Sequence, residues 1–343
     1  MKKKLVLLLV LAMVMLAFAA CGGGTEPPEE PQVTPTTGDA KTGLAVITST
    51  GKTVDAGEEN GIAQVDSVVV AVTVDDAGTI LNCAIDTAQT KIEISNEGKI
   101  VTPLDTVFVS KQELGEEYGM GELSSIGKEW SEQATALSNY VIGKTVEEVK
   151  GIALTETGAP ADEDLAASVT IKIQGYIDAI EKAVATAQSL GAAADDKLGL
   201  GVVTNIAKSA DAGQEEGVAQ AYTYYTATTF DANGVITSSI IDASQTNLYF
   251  TTEGKFTSDI NASYKTKNEL GDEYGMRAAS SIGKEWNEQA EAFSKYVVGK
   301  TLDEVKGISL EAGVPTEEDL ASSVTVHVTD FITVLEKAYN MSK

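Results

Sequence analysis

The sequence predicts an α+β protein made of two tandem copies of a small module, an antiparallel sheet with helices packed on it. Three observations carry this. SSIGKEW (124–130) returns at 280–286, ELGEEYGM (113–120) returns as ELGDEYGM (269–276), and YVIGKTVEEVKGI (140–152) returns as YVVGKTLDEVKGI (296–308). The offset is 156 residues, falling to 155 after one deletion between Leu310 and Pro315, the mark of an internal repeat. Each copy opens with a β-rich stretch broken by a tight turn, and each continues in segments with helical apolar spacing.

In chain order, SVVVAVTVDDAGTILNCAI (67–85) reads as strand, Asp-Ala-Gly turn, strand, because Val, Ile and Thr favour extended chain. AYTYYTATTFDANGVITSSII (221–241) repeats it with Asn-Gly at the turn. The repeated DTAQT (86–90) and DASQT (242–246) lead to a further predicted strand at 90–95 and 246–251. Trp130, Ala134, Leu137 and Val141 recur at helical spacing and stop at Gly143, and TVEEVKGI predicts a short helix after them. The last element of each copy is predicted as a strand, EDLAASVTIKI (163–173) or EDLASSVTVHV (318–328). It runs into an amphipathic helix, GYIDAIEKAVATAQ or DFITVLEKAYN. His327, between Val326 and Val328, reads as an exposed strand residue. The two domains span 43–190 and 198–343, joined by the small, polar LGAAADDK.

Residues 1–20 have the pattern of a secretory signal: Lys2, Lys3 and Lys4, then an apolar run from Leu5 to Ala20 too short to span a bilayer comfortably. Cys21, after FAA and before GGG, resembles a bacterial lipobox, with Phe18 in place of the usual Leu. That resemblance implies a lipidated Cys21 anchored to the outer face of the cell membrane. Residues 21–42, rich in Gly, Pro, Thr and acid, read as a disordered tether.

Charge and composition remove several function classes. A net charge of −26 repels nucleic acid and anionic membrane surfaces, so the lipid anchor is the only expected membrane contact. Apart from the lipobox Cys21 the only cysteine is Cys83, whose counterpart is Ser239, so no intramolecular disulfide is expected. With His327 the only histidine, neither a Ser/His or Cys/His pair nor a His-rich metal site can recur in both copies. Glu129, Glu285 and the EEY carboxylates read as solvated faces. No nucleophile–base pair recurs, which disfavours a hydrolase or transferase.

Each copy resembles the covalently flavinylated FMN-binding domain, known from respiratory flavoproteins and, in tandem, from surface lipoproteins of Gram-positive bacteria. The likeness runs from the V-x-V-D-D-x-G-x-I hairpin through a Glu/Gly loop (ELGEEYGM) and a Trp-containing helix closing on GK. It ends at the hydroxyl-rich segment, where the family reads approximately D-x-x-S-G-A-T. On this chain that segment places Asp164, Ala167, Ser168, Val169 and Thr170 in the first copy. In the second it places Asp319, Ser322, Ser323, Val324 and Thr325. Neither copy has the motif Gly, and Val stands before each Thr. Taken alone, SVT reads equally well as strand residues beside a helix start.

The resemblance implies FMN esterified through its phosphate to Thr170 and Thr325, one per domain. Asp164 and Asp319 would orient a modifying enzyme or a transient magnesium–phosphate group. Ser168 and Ser323 are the small neighbours, and Glu113, Gly115, Glu269 and Gly271 lie in the family's flavin-facing loop. Tyr118, Met120 and Trp130, with Tyr274, Met276 and Trp286, are ring-contact candidates, although aromatic residues fill small cores in any case. The implied function is an electron carrier, not an enzyme with its own turnover. It would be loaded by a flavin transferase using FAD, reduced by a quinone-linked membrane dehydrogenase and oxidised by extracellular acceptors. The alternative readings are a surface lipoprotein that binds a small ligand or partner without flavin, and a purely structural surface antigen.

Overall fold

The computed structural model describes residues 39–342. The expected signal, Cys21 and most of the tether lie outside the described residues. The fold is α+β, and the element order over 41–185 resembles that over 197–341, which has an added hairpin.

In the first half, strands β1 (Lys41–Ser49), β2 (Gly61–Val74) and β3 (Ile80–Ile94) form an antiparallel sheet in the order β1-β2-β3. The chain continues through α1 (Lys111–Leu114), a 3-10 turn (Gly115–Tyr118), α2 (Trp130–Val141), α3 (Val146–Lys150), α4 (Glu163–Ala166) and α5 (Gln174–Ala185). The second half has sheet order β4-β5-β6, from β4 (Lys197–Asn205), β5 (Gly217–Phe230) and β6 (Ile236–Phe250). Then come α6 (Lys267–Leu270), a 3-10 turn (Gly271–Tyr274), α7 (Trp286–Val297) and α8 (Leu302–Lys306). A small hairpin of β7 (Leu310–Glu311) and β8 (Val314–Pro315), then α9 (Glu318–Ala321) and α10 (Thr329–Met341), close the chain. Among the described residues no helix is long and apolar enough to cross a membrane.

Each predicted hairpin is present. Asp75 Oδ1 accepts the Thr79 N–H (2.7 Å) across one turn, and Asp231 Oδ1 accepts the Val235 N–H (2.9 Å) across the other. Two expectations about strands need correction. The segments at 90–95 and 246–251 are not separate strands but continue the 15-residue β3 and β6. The fold also begins before the expected boundaries, since β1 starts at Lys41 and β4 at Lys197. The end of the expected tether is held in place: Asp39 Oδ1 accepts from the Ala194 N–H (2.7 Å), and the Ala40 N–H donates to the Ala192 carbonyl (3.2 Å).

The described residues form one compact unit because the two sheets pack face to face. Val46, Val69 and Ala71 meet Leu200, Val202 and Tyr225, while Val65 and Ile92 meet Ile206 and Leu248. Helices cover the opposite faces, with Trp130, Leu137, Ile177 and Ile180 on the first sheet and Trp286, Phe293, Phe331 and Leu335 on the second. β2 and β5, covered on both faces, are therefore buried along most of their length, β5 with four threonines among its apolar residues.

Contacts between the halves are reciprocal. Ala212 N–H donates to Gly98 O (2.9 Å), and Ala56 N–H donates to Gly254 O (3.0 Å). Ile100 N–H reaches Asp211 (2.8 Å) as Phe256 N–H reaches Asp55 (2.8 Å). Phe108 bridges to Thr204 on edge strand β4, and Tyr264 bridges to Thr48 on edge strand β1. Each half thus caps an exposed edge of the other.

Candidate functional site

The repeated EDLAxSVT segment is not a strand. Asp162 caps α4 by accepting the N–H groups of Asp164 (3.1 Å) and Leu165 (3.2 Å). One helical turn follows, and 167–173 then form a loop leading into α5. α9 repeats the short helix, so His327 is exposed but sits in a loop, not a strand. The V-T-I-K-I alternation imitates a strand, yet the Ile173 N–H goes to the Gly158 carbonyl (3.0 Å), and the Thr170 and Ile171 N–H groups go to a side chain.

That side chain is Gln133, fully buried on α2. Its Oε1 accepts from the Thr170 N–H (2.8 Å), the Thr170 hydroxyl (3.2 Å) and the Ile171 N–H (3.2 Å). Its Nε2 donates to Ser124 Oγ (3.1 Å) and the Lys128 carbonyl (3.0 Å). In the second half Gln289 accepts from the Thr325 N–H (2.8 Å) and hydroxyl (3.3 Å). It donates to Ser280 Oγ (3.2 Å) and the Lys284 carbonyl (3.2 Å). SSIGKEW therefore recurs because its Ser and Lys orient the glutamine that holds the threonine. Both threonines are half-buried, while Val169 and Val324 beside them are fully buried anchors.

Lys128 Nζ donates to Ser168 Oγ (3.3 Å), two residues from Thr170. The same lysine borders an open hollow of about 490 Å³ along α2, with Ser131, Glu132 and Thr135. Asp164 and Asp319 lie in the first turns of α4 and α9 with exposed side chains. Ser323 is half-buried, and Ser322 donates its hydroxyl to the Asp319 carbonyl (2.8 Å).

Glu129 and Glu285 are not solvated faces. Glu129 accepts from the Met120 (2.8 Å) and Gly121 (2.6 Å) N–H groups. Glu285, 1% exposed, accepts from Met276 (2.9 Å) and Arg277 (2.7 Å). They clamp the ELGxxYGM loop onto the start of α2 or α7.

Glu113 and Glu269 do not join the threonines. Each caps its own helix, accepting from the Ser110 N–H (3.0 Å) or the Thr266 N–H (2.8 Å). Each also pairs with the other half, Glu113 with Lys337 (2.8 Å) and Glu269 with Lys182 (2.6 Å). Gly115 and Gly271 follow at φ +50 with open space around a notional Cβ, so backbone conformation selects glycine there.

Trp130 and Trp286 are core residues, each 3% exposed, and the Trp130 indole N–H is taken by Tyr176 (3.0 Å). Tyr118, Met120, Tyr274 and Met276 are half-buried against those cores. Lys267, 2% exposed, lies over the rings of Tyr222 (4.5 Å), Tyr274 (4.2 Å) and Trp286 (4.9 Å). It donates to the hydroxyls of Tyr222 and Tyr274, and burial pushes its ammonium down to about 7.

The strand-borne Asp86 and Asp242, 4% and 7% exposed, hold the starts of α1 and α6. Asp86 accepts the Thr87 (2.7 Å) and Gln112 (3.1 Å) N–H groups, and Asp242 those of Ala243 (2.7 Å) and Asn268 (3.0 Å). Burial pushes both carboxyls up to about 6. The repeated D-x-x-Q-T motif displayed these residues without showing their role. In the sequence Gln133 and Gln289 show only as the E-Q-A common to both copies.

No family model and no solved structure matches the chain. It is similar to a curated protein, chlorophenol reductase of Desulfitobacterium hafniense, with 49% identity over 43 residues. That stretch is 12% of this chain and spans 13% of the relative.

Proposed function

We propose that the chain is a lipid-anchored extracytoplasmic electron carrier built from two tandem FMN-binding-like domains. In this reading FMN is joined by phosphoester to Thr170 and to Thr325. The observation that carries the reading is the recurrence of one arrangement, a half-buried threonine hydroxyl held by a buried glutamine, at the two positions the family resemblance singles out.

The residues present fit a phosphoester. A hydroxyl is the required nucleophile, and Gln133 fixes its rotamer without consuming its lone pairs. Lys128 supplies a cation beside Ser168 that would neutralise a phosphate in an otherwise acidic chain. Attachment joins the Thr oxygen to the phosphorus of the FMN half of FAD, breaks the pyrophosphate bond and releases AMP, with the hydroxyl proton passing to solvent. Bound flavin supplies one- and two-electron chemistry. A covalent bond also offsets the weak retention of a dilute anion by a chain of charge −26. A membrane dehydrogenase would feed the carrier and external acceptors would drain it.

In-gel fluorescence after co-expression with a flavin transferase tests this. A fluorescent band in the parent that vanishes when Thr170 and Thr325 are both alanine supports the carrier. A colourless parent under conditions that load a known family member overturns it and leaves the ligand-binding lipoprotein.

A further inference from the structure

We propose that the cleft between α7 and the segment joining the two halves binds a linear aliphatic amine, a diamine or polyamine. Two adjoining cavities of about 260 and about 290 Å³ share Gln188, Ile240 and Asn268. Ile241 and Leu190 line the first, and Leu44 and Val46 the second, so the middle of the cleft is apolar.

Its lining mixes donors and acceptors, and the groups left without a partner can accept. Ser294 Oγ and Asn287 Oδ1 border the first cavity and are buried with no hydrogen-bond partner among the described residues. Ser294 is only 5% exposed, so bulk water does not satisfy it. An amide oxygen can only accept, and the ligand must therefore donate. In the second cavity stands Asp242, an acceptor whose backbone partners are both donors.

The two lysines bordering the cleft pair with its two glutamates, Lys295 with Glu291 (2.6 Å) and Lys182 with Glu269 (2.6 Å), which leaves Asp242 as the lining carboxylate outside an ion pair. The net charge of −26 raises the local concentration of cations. A methylene chain ending in ammonium groups matches this order of acceptors, apolar floor and acceptors.

The joining segment makes the cleft specific to the second half. Gln188 exchanges two backbone hydrogen bonds with Thr42 (2.9 Å each), fixing the segment that closes the cavity. The corresponding first-half cavity is smaller, about 180 Å³, and has Thr135 and Asn139 where the second half has Glu291 and Lys295. Ser138, the equivalent of Ser294, lines it and is also buried without a partner, but Ser131, the equivalent of Asn287, does not line it. The inference is independent of flavin.

Calorimetric titration of the folded chain with spermidine and putrescine tests it. 1,4-butanediol serves as the uncharged analogue and magnesium at matched ionic strength as the unshaped cation. One amine per chain is expected, with affinity about tenfold weaker or worse in Asn287→Ser/Ser294→Ala, as loss of charge-assisted hydrogen bonds implies. Neither control should bind in its place. If the double variant unfolds, Leu190→Trp, which fills the cleft from the joining segment, carries the same expectation. Unchanged affinity in a folded variant, displacement of the amine by magnesium, or no amine binding at all would overturn the proposal.

Discussion

Gln133 Oε1 accepts both the backbone N–H (2.8 Å) and the hydroxyl (3.2 Å) of Thr170, and so fixes a loop that has no strand partner to α2. One buried amide thus determines both where the threonine sits and which way its hydroxyl turns. Gln289 and Thr325 repeat the relationship.

Gln133→Leu keeps the volume but leaves the Thr170 and Ile171 N–H groups without an acceptor. A loss of about 2–4 kcal/mol is expected from two orphaned donors, measured as a lowered urea midpoint. The same variant should flavinylate poorly at Thr170 and normally at Thr325. A change below about 0.5 kcal/mol would mean that water or a neighbouring group replaces Gln133.

The shared sheet-to-sheet core predicts that the halves unfold together. Each half has one tryptophan, so Trp130→Phe and Trp286→Phe leave single reporters in the second and first halves respectively. Their urea transitions should coincide. Tyr225→Ala, which empties a fully buried site in the shared core, should lower both midpoints by a cost of about 3–5 kcal/mol. Separate midpoints would show two independent domains.

Burial raises the folded-state carboxyl of Asp86 from 3.8 to about 6, opposed by hydrogen bonds from Ser110 and Gln112. Between these two pH values the folded chain holds a proton that the unfolded chain has released. This group's contribution to stability therefore falls as pH rises through that window and levels off above it. Asp86→Asn, fixed in the neutral form, should gain on the parent from about pH 4 to about pH 6 and keep that gain at higher pH. Parallel denaturation curves across the range would contradict this.

Much of the fold was legible because hydrophobic period and turn chemistry agree locally. The hairpins, the Trp130 helix and the short capped helix after it stand where they were expected. β1 and β4 carry a weak strand signal because glycine interrupts their β-branched runs. A Cβ at Gly43 would lie 2.0 Å from the Ala183 carbonyl oxygen, and one at Gly201 would lie 2.0 Å from that of Val334. Helices α5 and α10 cross these strands at backbone contact, a tertiary demand that outweighs strand propensity. The 163–173 segment is the converse case: its alternation is strand-like, and the distant Gln133 takes two of its donors, the Thr170 and Ile171 N–H groups. Glu113 and Glu269 sit in local Ser/Thr-x-x-Glu capping boxes, but their ion pairs were not legible, because Lys337 and Lys182 lie in the opposite halves.

The most direct test of the carrier account is the intact mass of the chain lacking its signal and Cys21, produced with and without a flavin transferase and FAD. The account predicts a gain of two FMN units, one lost in Thr170→Ala and the other in Thr325→Ala. No gain, under conditions that modify a known family member, would contradict it.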